Sequence, residues 1–288
     1  MRHSAEAELP PTIEAIGHPE GFKDKTVLNN AALEKYLGER KRIRNSVSDS
    51  EWAARVELAA CYRLIAHFRM TDWIYNHISA RVPGQEGVYL INPFGLLYEE
   101  VSASNLVKVD THGNLAEDTE LEVNPAAFVI HGAIHDARPD VGCVLHTHTA
   151  AGVAVAAQRA GLLPISQHAF KLIDRVAYHD FEGIALDPEE QKRLVADIGD
   201  KDVLILRNHG LLTMGVDVPR AFELMFFLER ACQIQVQALA GGAEIVLPAD
   251  KVQERTVQQF AGDSSYVLGR DWSALIRLLD RSDPSYRD

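Results

Sequence analysis

Two rhythms of apolar positions alternate along the chain from Ser48 onward. Ala54, Leu58, Cys61, Ile65 and Phe68 recur at steps of four and three, which draws one apolar stripe on a helix, with Ser48, Asp49 and Ser50 available as its cap. The stretch "HISARVPGQEGVYLINPFG" changes period and predicts two strands of a hairpin turned at Pro83 and Gly84. "LVKVDTHGNLA" continues the strand signal around a turn at His112-Gly113-Asn114. "NPAAFVIHGAIHDARPD" predicts a helix, with Asn124 able to accept from the first amides and Pro125 at the first helical position. It stops near Arg138-Pro139, because proline disfavours helical geometry in the residue before it. "VGCVLHTH" is a short buried strand and "TAAGVAVAAQRAG" a helix closed by Gly161. "KDVLILRNHGLLTMG" predicts two strand runs broken at Asn208-His209-Gly210, and Pro219 to Leu239 a long helix with Asp217 near its start. "VQERTVQQFAG" and "DWSALIRLLD" predict two short helices. Helices interleaved with strands, with hairpins at one side, argue for a mixed sheet covered by helices on both faces.

The division that follows is an arm over 1–45, rich in Pro, Gly and charge, then a main domain over 46–245 and a helical tail over 246–288. A length of 288 residues suits one large α/β domain with such extensions. Net charge is −12 and the basic residues form no long block, which argues against a nucleic-acid or anionic-membrane surface. The apolar runs "VAVAA" and "VLIL" fall far short of a membrane span, and "MRHSAEAELPP" lacks the apolar core of a signal peptide, so a cytoplasmic protein is expected. Cys61, Cys143 and Cys232 are odd in number, widely spaced and set among apolar residues, so they read as buried thiols.

Chemistry concentrates in "VLHTHTAAG". Side chains two apart in a strand point the same way, so His146 and His148 can present two nitrogens to one point. A divalent metal that keeps an open position needs a third ligand, and His209, at a turn after a buried run and beside a glycine, is the candidate. A bare HxH pair also reads as polar decoration or as two hydrogen-bonded core histidines.

"YNHIS", "INPFGLLYEEVSASNLVKVD", "HGAIHDARPDVGCVLHTH", "GLLPIS" and "RNHGLLTMG" follow one another across roughly residues 50–240. In their order and spacing the chain resembles the class II aldolase/adducin family, and its core segments most resemble the adducin-head-like branch. The resemblance implies a three-layer αβα sandwich with a central mixed, largely antiparallel sheet. It also implies one divalent metal, zinc first and iron or manganese as alternatives, on His146, His148 and His209. Where aldolases of the family carry a glutamate near the metal, this chain has Ala127. Where they hold a substrate phosphate, it has Asn76-His77, Phe94-Gly95 and Pro125-Ala126. There a phosphate would lose most of its donors and meet apolar bulk. Asn76, His77, Phe94, Gly95 and Ala127 are thus the expected substrate-binding positions.

The tyrosine that aldolases bring from a neighbouring subunit matches a place at or within one residue of His168, in "LLPISQHAF". Histidine can move a proton in either direction near neutrality and could take that acid/base role; an interface or solvent-facing histidine is the other reading. His131 is expected behind the ligands or packed on the HxH strand, and His135 as a hydrogen-bonded helix residue. Asp140 is expected to fix the turn before the metal strand or to hold a ligand imidazole in its tautomer. Tyr178 and His179 read as structural. Together these features imply a metal-dependent lyase performing retro-aldol cleavage or decarboxylation of a small non-phosphorylated oxo or hydroxy acid, through a metal-stabilised enolate, in a homo-oligomer, commonly a tetramer. Two other readings stay open, a non-catalytic adducin-head-like assembly module and an iron-dependent oxygenase on the same fold.

Overall fold

Ser48 ends the irregular entry to the first helix by accepting a hydrogen bond from Glu51 N at 3.1 Å, the cap its hydroxyl and position predict. The computed structural model describes residue 38 and residues 43–117, 119, 121–124, 127–183, 189–261 and 265–288. Nearly all of the expected arm, and Pro125-Ala126, lie outside the described residues.

In chain order the elements are α1 (Asp49–His67), β1 (His77–Arg81), β2 (Val88–Ile91), β3 (Val107–Asp110), a π-helical turn (Phe128–Gly132), α2 (Ala133–Ala137), β4 (Cys143–Thr147) and α3 (Ala150–Ala156). There follow α4 (Gln167–Phe170), β5 (Val176–His179), α5 (Glu190–Ile198), β6 (Val203–Leu206), β7 (Gly210–Gly215), α6 (Val218–Leu239), α7 (Asp250–Phe260), α8 (Ser265–Ser282) and a closing 3-10 turn (Pro284–Arg287). The strands form one sheet in the order β3-β2-β1-β4-β7-β6-β5. Every neighbouring pair is antiparallel except β5–β6.

Strand alternation decides what each face meets. Cys143 and Leu145 of β4 join Leu58 and Ile65 of α1 and Phe222 and Leu228 of α6. Val144, between them, joins Ile130, Ile134, Leu194 and Ile198 on the opposite face. The result is a three-layer αβα sandwich with a mixed, largely antiparallel sheet, as the resemblance implied. The C-terminal helices pack on the α1/α6 layer: Trp272 lies 5.9 Å from Phe222, centroid to centroid, and Leu279 and Tyr286 are buried there.

Three stretches depart from the predicted elements. The helix expected to reach Gly161 stops at Ala156, and Gly161 sits in a following turn with φ +64°, where a Cβ would lie 2.3 Å from the Tyr178 hydroxyl. The helix expected from Asn124 to Arg138 contains the five-residue π turn, which adds a residue per turn and redirects the side chains after it. Between Gly161 and Lys201 the chain adds α4, β5 and α5, and the predicted elements there include neither strand nor helix. The strand β5 is short and mixes Val176 and Ala177 with Tyr178 and His179, so it lacks the alternation that marks a half-buried strand. The three cysteines are free and buried. Among the described residues no helix is long and apolar enough to cross a membrane.

Candidate metal centre

Strand β4 carries His146 between two antiparallel neighbours, with His77 of β1 opposite it on one side and Leu212 of β7 on the other. His148 follows the end of β4, just before Thr149, whose hydroxyl caps α3 by accepting from Gly152 N at 3.2 Å. His209 occupies the turn from β6 to β7, after Asn208 at φ 56°, a left-handed conformation that asparagine tolerates better than most residues. The next residue must be glycine: a Cβ on Gly210 would lie 2.4 Å from Thr147 O and 3.0 Å from His148 Cδ2. That close approach lets the β6–β7 turn press against the end of β4.

The three Nε2 atoms converge. His148 Nε2 lies 2.8 Å from His146 Nε2 and 3.0 Å from His209 Nε2. Such distances ordinarily mean a shared proton, yet His146 and His148 have none to share at Nε2. His146 Nδ1 lies 2.9 Å from Leu211 O and His148 Nδ1 lies 3.1 Å from Asp72 Oδ2. Both oxygens only accept, so each Nδ1 carries the proton and each Nε2 a bare lone pair. Extra protonation is disfavoured, since burial first and neighbouring imidazoles second push His146 well below the usual histidine range and His209 down to about 4. The facing lone pairs of His146 and His148 repel one another, and with His209 Nε2 at the same point the three neutral imidazoles form a donor set that fits a divalent metal. With metal–nitrogen distances of about 2.0–2.1 Å, tetrahedral ligation asks for nitrogens about 3.3 Å apart, a few tenths wider than here.

Asp72, rather than Asp140, holds a ligand in its tautomer. Asp140 lies at the opposite end of β4, half exposed, in a bidentate pair with Arg138 at 2.8 and 2.7 Å. It fixes the turn and touches no ligand. Asp72 belongs to the loop between α1 and β1, wound by left-handed backbone at Arg69 (φ 57°) and Trp73 (φ 49°) and tied by Asn76 Oδ1, which accepts from Asp72 N at 2.7 Å. A carboxylate in "RMTDWIYNH" was a visible signal, but its reach to a residue 76 positions away was not.

The remaining expected residues divide between this end of the sheet and other places. Asn76 and His77 are buried at the start of β1, and the His77 ring lies 5.5 Å from that of His146. Phe94 and Gly95 follow β2 at the same end of the sheet, Phe94 half-buried with its N–H on Glu122 O at 2.8 Å. Ala127 is fully buried just before the π turn, a methyl group where a carboxylate was looked for. His131 is buried behind His77, 2.9 Å from its Nδ1, and makes no hydrogen bond to a ligand ring. His135 bonds Ser79 and stacks on Tyr89 at 4.1 Å. His168 lies on α4 against Phe227 of α6, 5.8 Å between centroids, and is not one of the three histidines whose nitrogens converge. Tyr178 receives Leu162 N–H at 3.0 Å, and His179 pairs with Asp197 at 2.7 Å.

A family profile described as the Class II Aldolase and Adducin N-terminal domain matches residues 56–236. A Pseudomonas aeruginosa protein whose name places it provisionally among class 2 aldolases is 48% identical over 249 residues, covering 85% of this chain and 96% of that one. Alpha-adducin of Mus musculus is 45% identical over 241 residues, which is 78% of this chain and 33% of the adducin. The crystal structure of an aldolase II superfamily protein from Pseudomonas syringae has a TM-score of 0.82 at 55% identity, over 85% of this chain and 99% of that one. L-fuculose 1-phosphate aldolase from Glaciozyma antarctica has a TM-score of 0.73 at 24% identity, over 83% and 93%, and shares the fold. With its three-layer architecture and a profile match across most of its length, the chain belongs to the class II aldolase and adducin family.

Proposed function

We propose that the protein is a metal-dependent lyase that cleaves a carbon–carbon bond, by retro-aldol reaction or decarboxylation, in a small non-phosphorylated oxo or hydroxy acid. The observation that carries this reading is the convergence of three Nε2 atoms at one point, with the protons of His146 and His148 held on Nδ1 by Leu211 and Asp72. A divalent cation bound there, zinc being favoured, supplies a Lewis acid for a chelated carbonyl. His146, His148 and His209 would hold it without adding negative charge, which leaves its full charge available. Asp72 and Leu211 keep the rings aimed.

With alanine at position 127, no carboxylate is available there to move the proton. His168, offered by a neighbouring subunit, takes that task at its imidazole in our reading. Asn76, His77, Phe94 and Gly95 line the substrate side, and the half-buried Phe94 ring suits an organic acid better than a phosphate. The 45% identity to alpha-adducin favours one competing reading, an assembly module that has kept the family fold.

Metal content of protein purified without added metal, with His148→Ala as comparison, tests the proposal. About one zinc per chain, lost in the variant, together with turnover in a screen of oxo and hydroxy acids, is the expected result. Iron in that place would redirect the search to oxygen chemistry, and absence of metal from both samples would leave the assembly module.

A further inference from the structure

The first turns of α1 and the middle of α8 border a cleft of about 490 Å³ that no residue of the three-histidine centre lines. Trp52 and Val56 stand four residues apart on α1 and so share one face of that helix, with Glu57 next to them. Trp272 and Ile276, also four apart, form the wall given by α8. Trp272 packs on Phe222 of α6, 5.9 Å between centroids, which fixes its ring. Tyr286 of the closing 3-10 turn adds a third aromatic ring, its hydroxyl donating to Asp280 Oδ1 at 2.8 Å. A cleft of this size with aromatic and aliphatic walls suits a small organic molecule.

Glu57 is the polar exception in these walls. Among the described residues it makes no hydrogen bond and no ion pair, and its oxygens are not among the sealed polar atoms, so they open on the cleft it lines. Burial first and the charge of Asp217 second raise its carboxyl to about 7, as expected of a poorly solvated carboxylate in a negative field. The neighbouring cations are already engaged. Arg287, which also lines the cleft, holds Asp280 through two nitrogens at 2.9 and 3.1 Å and lies over the Tyr286 ring at 4.9 Å. Arg44, over the Trp52 ring at 5.5 Å, pairs with Asp49. The thiols of Cys61 in α1 and Cys143 in β4, which feel the Glu57 charge, are pushed up by burial and stay neutral. Trp272 and Ile276 bring no charge from α8. Glu57 is therefore the uncompensated charge of the cleft.

We propose that this cleft binds a primary alkylammonium ion with an apolar or aromatic chain, its nitrogen on the Glu57 carboxylate and its chain between Trp52, Val56, Trp272 and Ile276. An ammonium group donates to a carboxylate in charge-assisted hydrogen bonds, and indole faces attract the same charge. An anion would meet the charges of Glu57 and Asp217. A neutral apolar molecule would leave the carboxylate desolvated and unpaired. A divalent metal asks for several oxygen ligands, and the walls of the cleft offer one carboxylate. The site shares no residue with the metal centre, and its occupant does not depend on the lyase reading.

Isothermal titration of the purified protein with 2-phenylethylammonium chloride at pH 8 is expected to show one site per chain, and absence of binding up to about 10 mM overturns the proposal. 2-Phenylethanol, which has the same shape without the charge, is expected to bind roughly 10- to 100-fold more weakly, and Glu57→Gln to weaken the ammonium ion by a similar factor. Equal affinity in either case overturns the carboxylate as the anchor. The bound cation requires an ionised Glu57, so affinity is expected to fall as pH is lowered through about 7, with protons released on binding at pH 7 and read as a buffer-dependent heat. Glu57→Gln is expected to remove both effects, and their persistence in the folded variant overturns the assignment. His148→Ala is expected to bind like the wild type; loss of binding there would place the amine at the metal centre. If Glu57→Gln instead dissociates the assembly in native mass measurements, the cleft is a contact between copies of the chain and the proposal falls.

Discussion

At the scale of single residues, the centre depends on atoms that never meet the metal. A ligand imidazole turns freely unless its second nitrogen is held, and second-sphere partners of this kind typically change metal affinity 10- to 100-fold. Asp72 is that partner for His148, and it is nearly half exposed in a loop. Asp72→Ala is expected to weaken zinc about 10- to 100-fold, measured by competition with a chromophoric chelator, with little change in thermal stability. Asp140→Ala is expected to leave zinc affinity unchanged, because Asp140 pairs with Arg138 at the other end of β4. Equal losses from the two variants would refute the assignment of Asp72.

Between elements, one charge interaction couples α1 to the start of α6. Asp217 caps α6 by accepting from Arg220 N at 2.9 Å. Burial first, and the charge of Asp217 second, push the Glu57 carboxyl of α1 from its ordinary 4.5 up to about 7. The folded state therefore holds a proton that the unfolded chain has released between those values. Stability from this group is full below 4.5 and is lost as pH rises through about 7. Glu57→Gln is expected to raise the thermal midpoint relative to wild type at pH 8 and to leave it nearly unchanged at pH 5. The reverse ordering would mean that the carboxylate has a cationic partner. His135 acts in the opposite sense, since its pKa of about 3 favours the fold at neutral pH and withdraws that support as pH falls below the ordinary histidine value.

On the scale of the whole molecule, the sandwich gathers the start of β1, the ends of β2 and β4 and the β6–β7 turn at one end of the sheet, where the three imidazoles meet. His168 lies on α4 against Phe227, and its proposed part in catalysis is taken from a second chain. Mixed oligomers of His168→Ala and His148→Ala chains are expected to regain a fraction of wild-type turnover, because some sites would draw an intact metal centre from one chain and an intact His168 from another. No recovery on mixing, with subunit exchange verified by mass, would confine His168 to a structural role.

The sequence by itself determined the features that depend on neighbours along the chain. The α1 stripe from Ala54 to Phe68, the β1–β2 hairpin, the Asp217 cap of α6 and the paired direction of His146 and His148 all follow from backbone periods of 3.6 and 2 and from local hydrogen bonds. The order of motifs also pointed to His209, which the fold brings to within 3.0 Å of His148. Tertiary structure alone decided what depends on distance through space. Asp72 displaced Asp140 as the holder of a ligand because loop winding and strand direction, neither of which has a period, set which carboxylate reaches which end of β4. The π turn and the parallel β5–β6 pair escaped the pattern for a related reason: their stability comes from packing against elements distant in sequence.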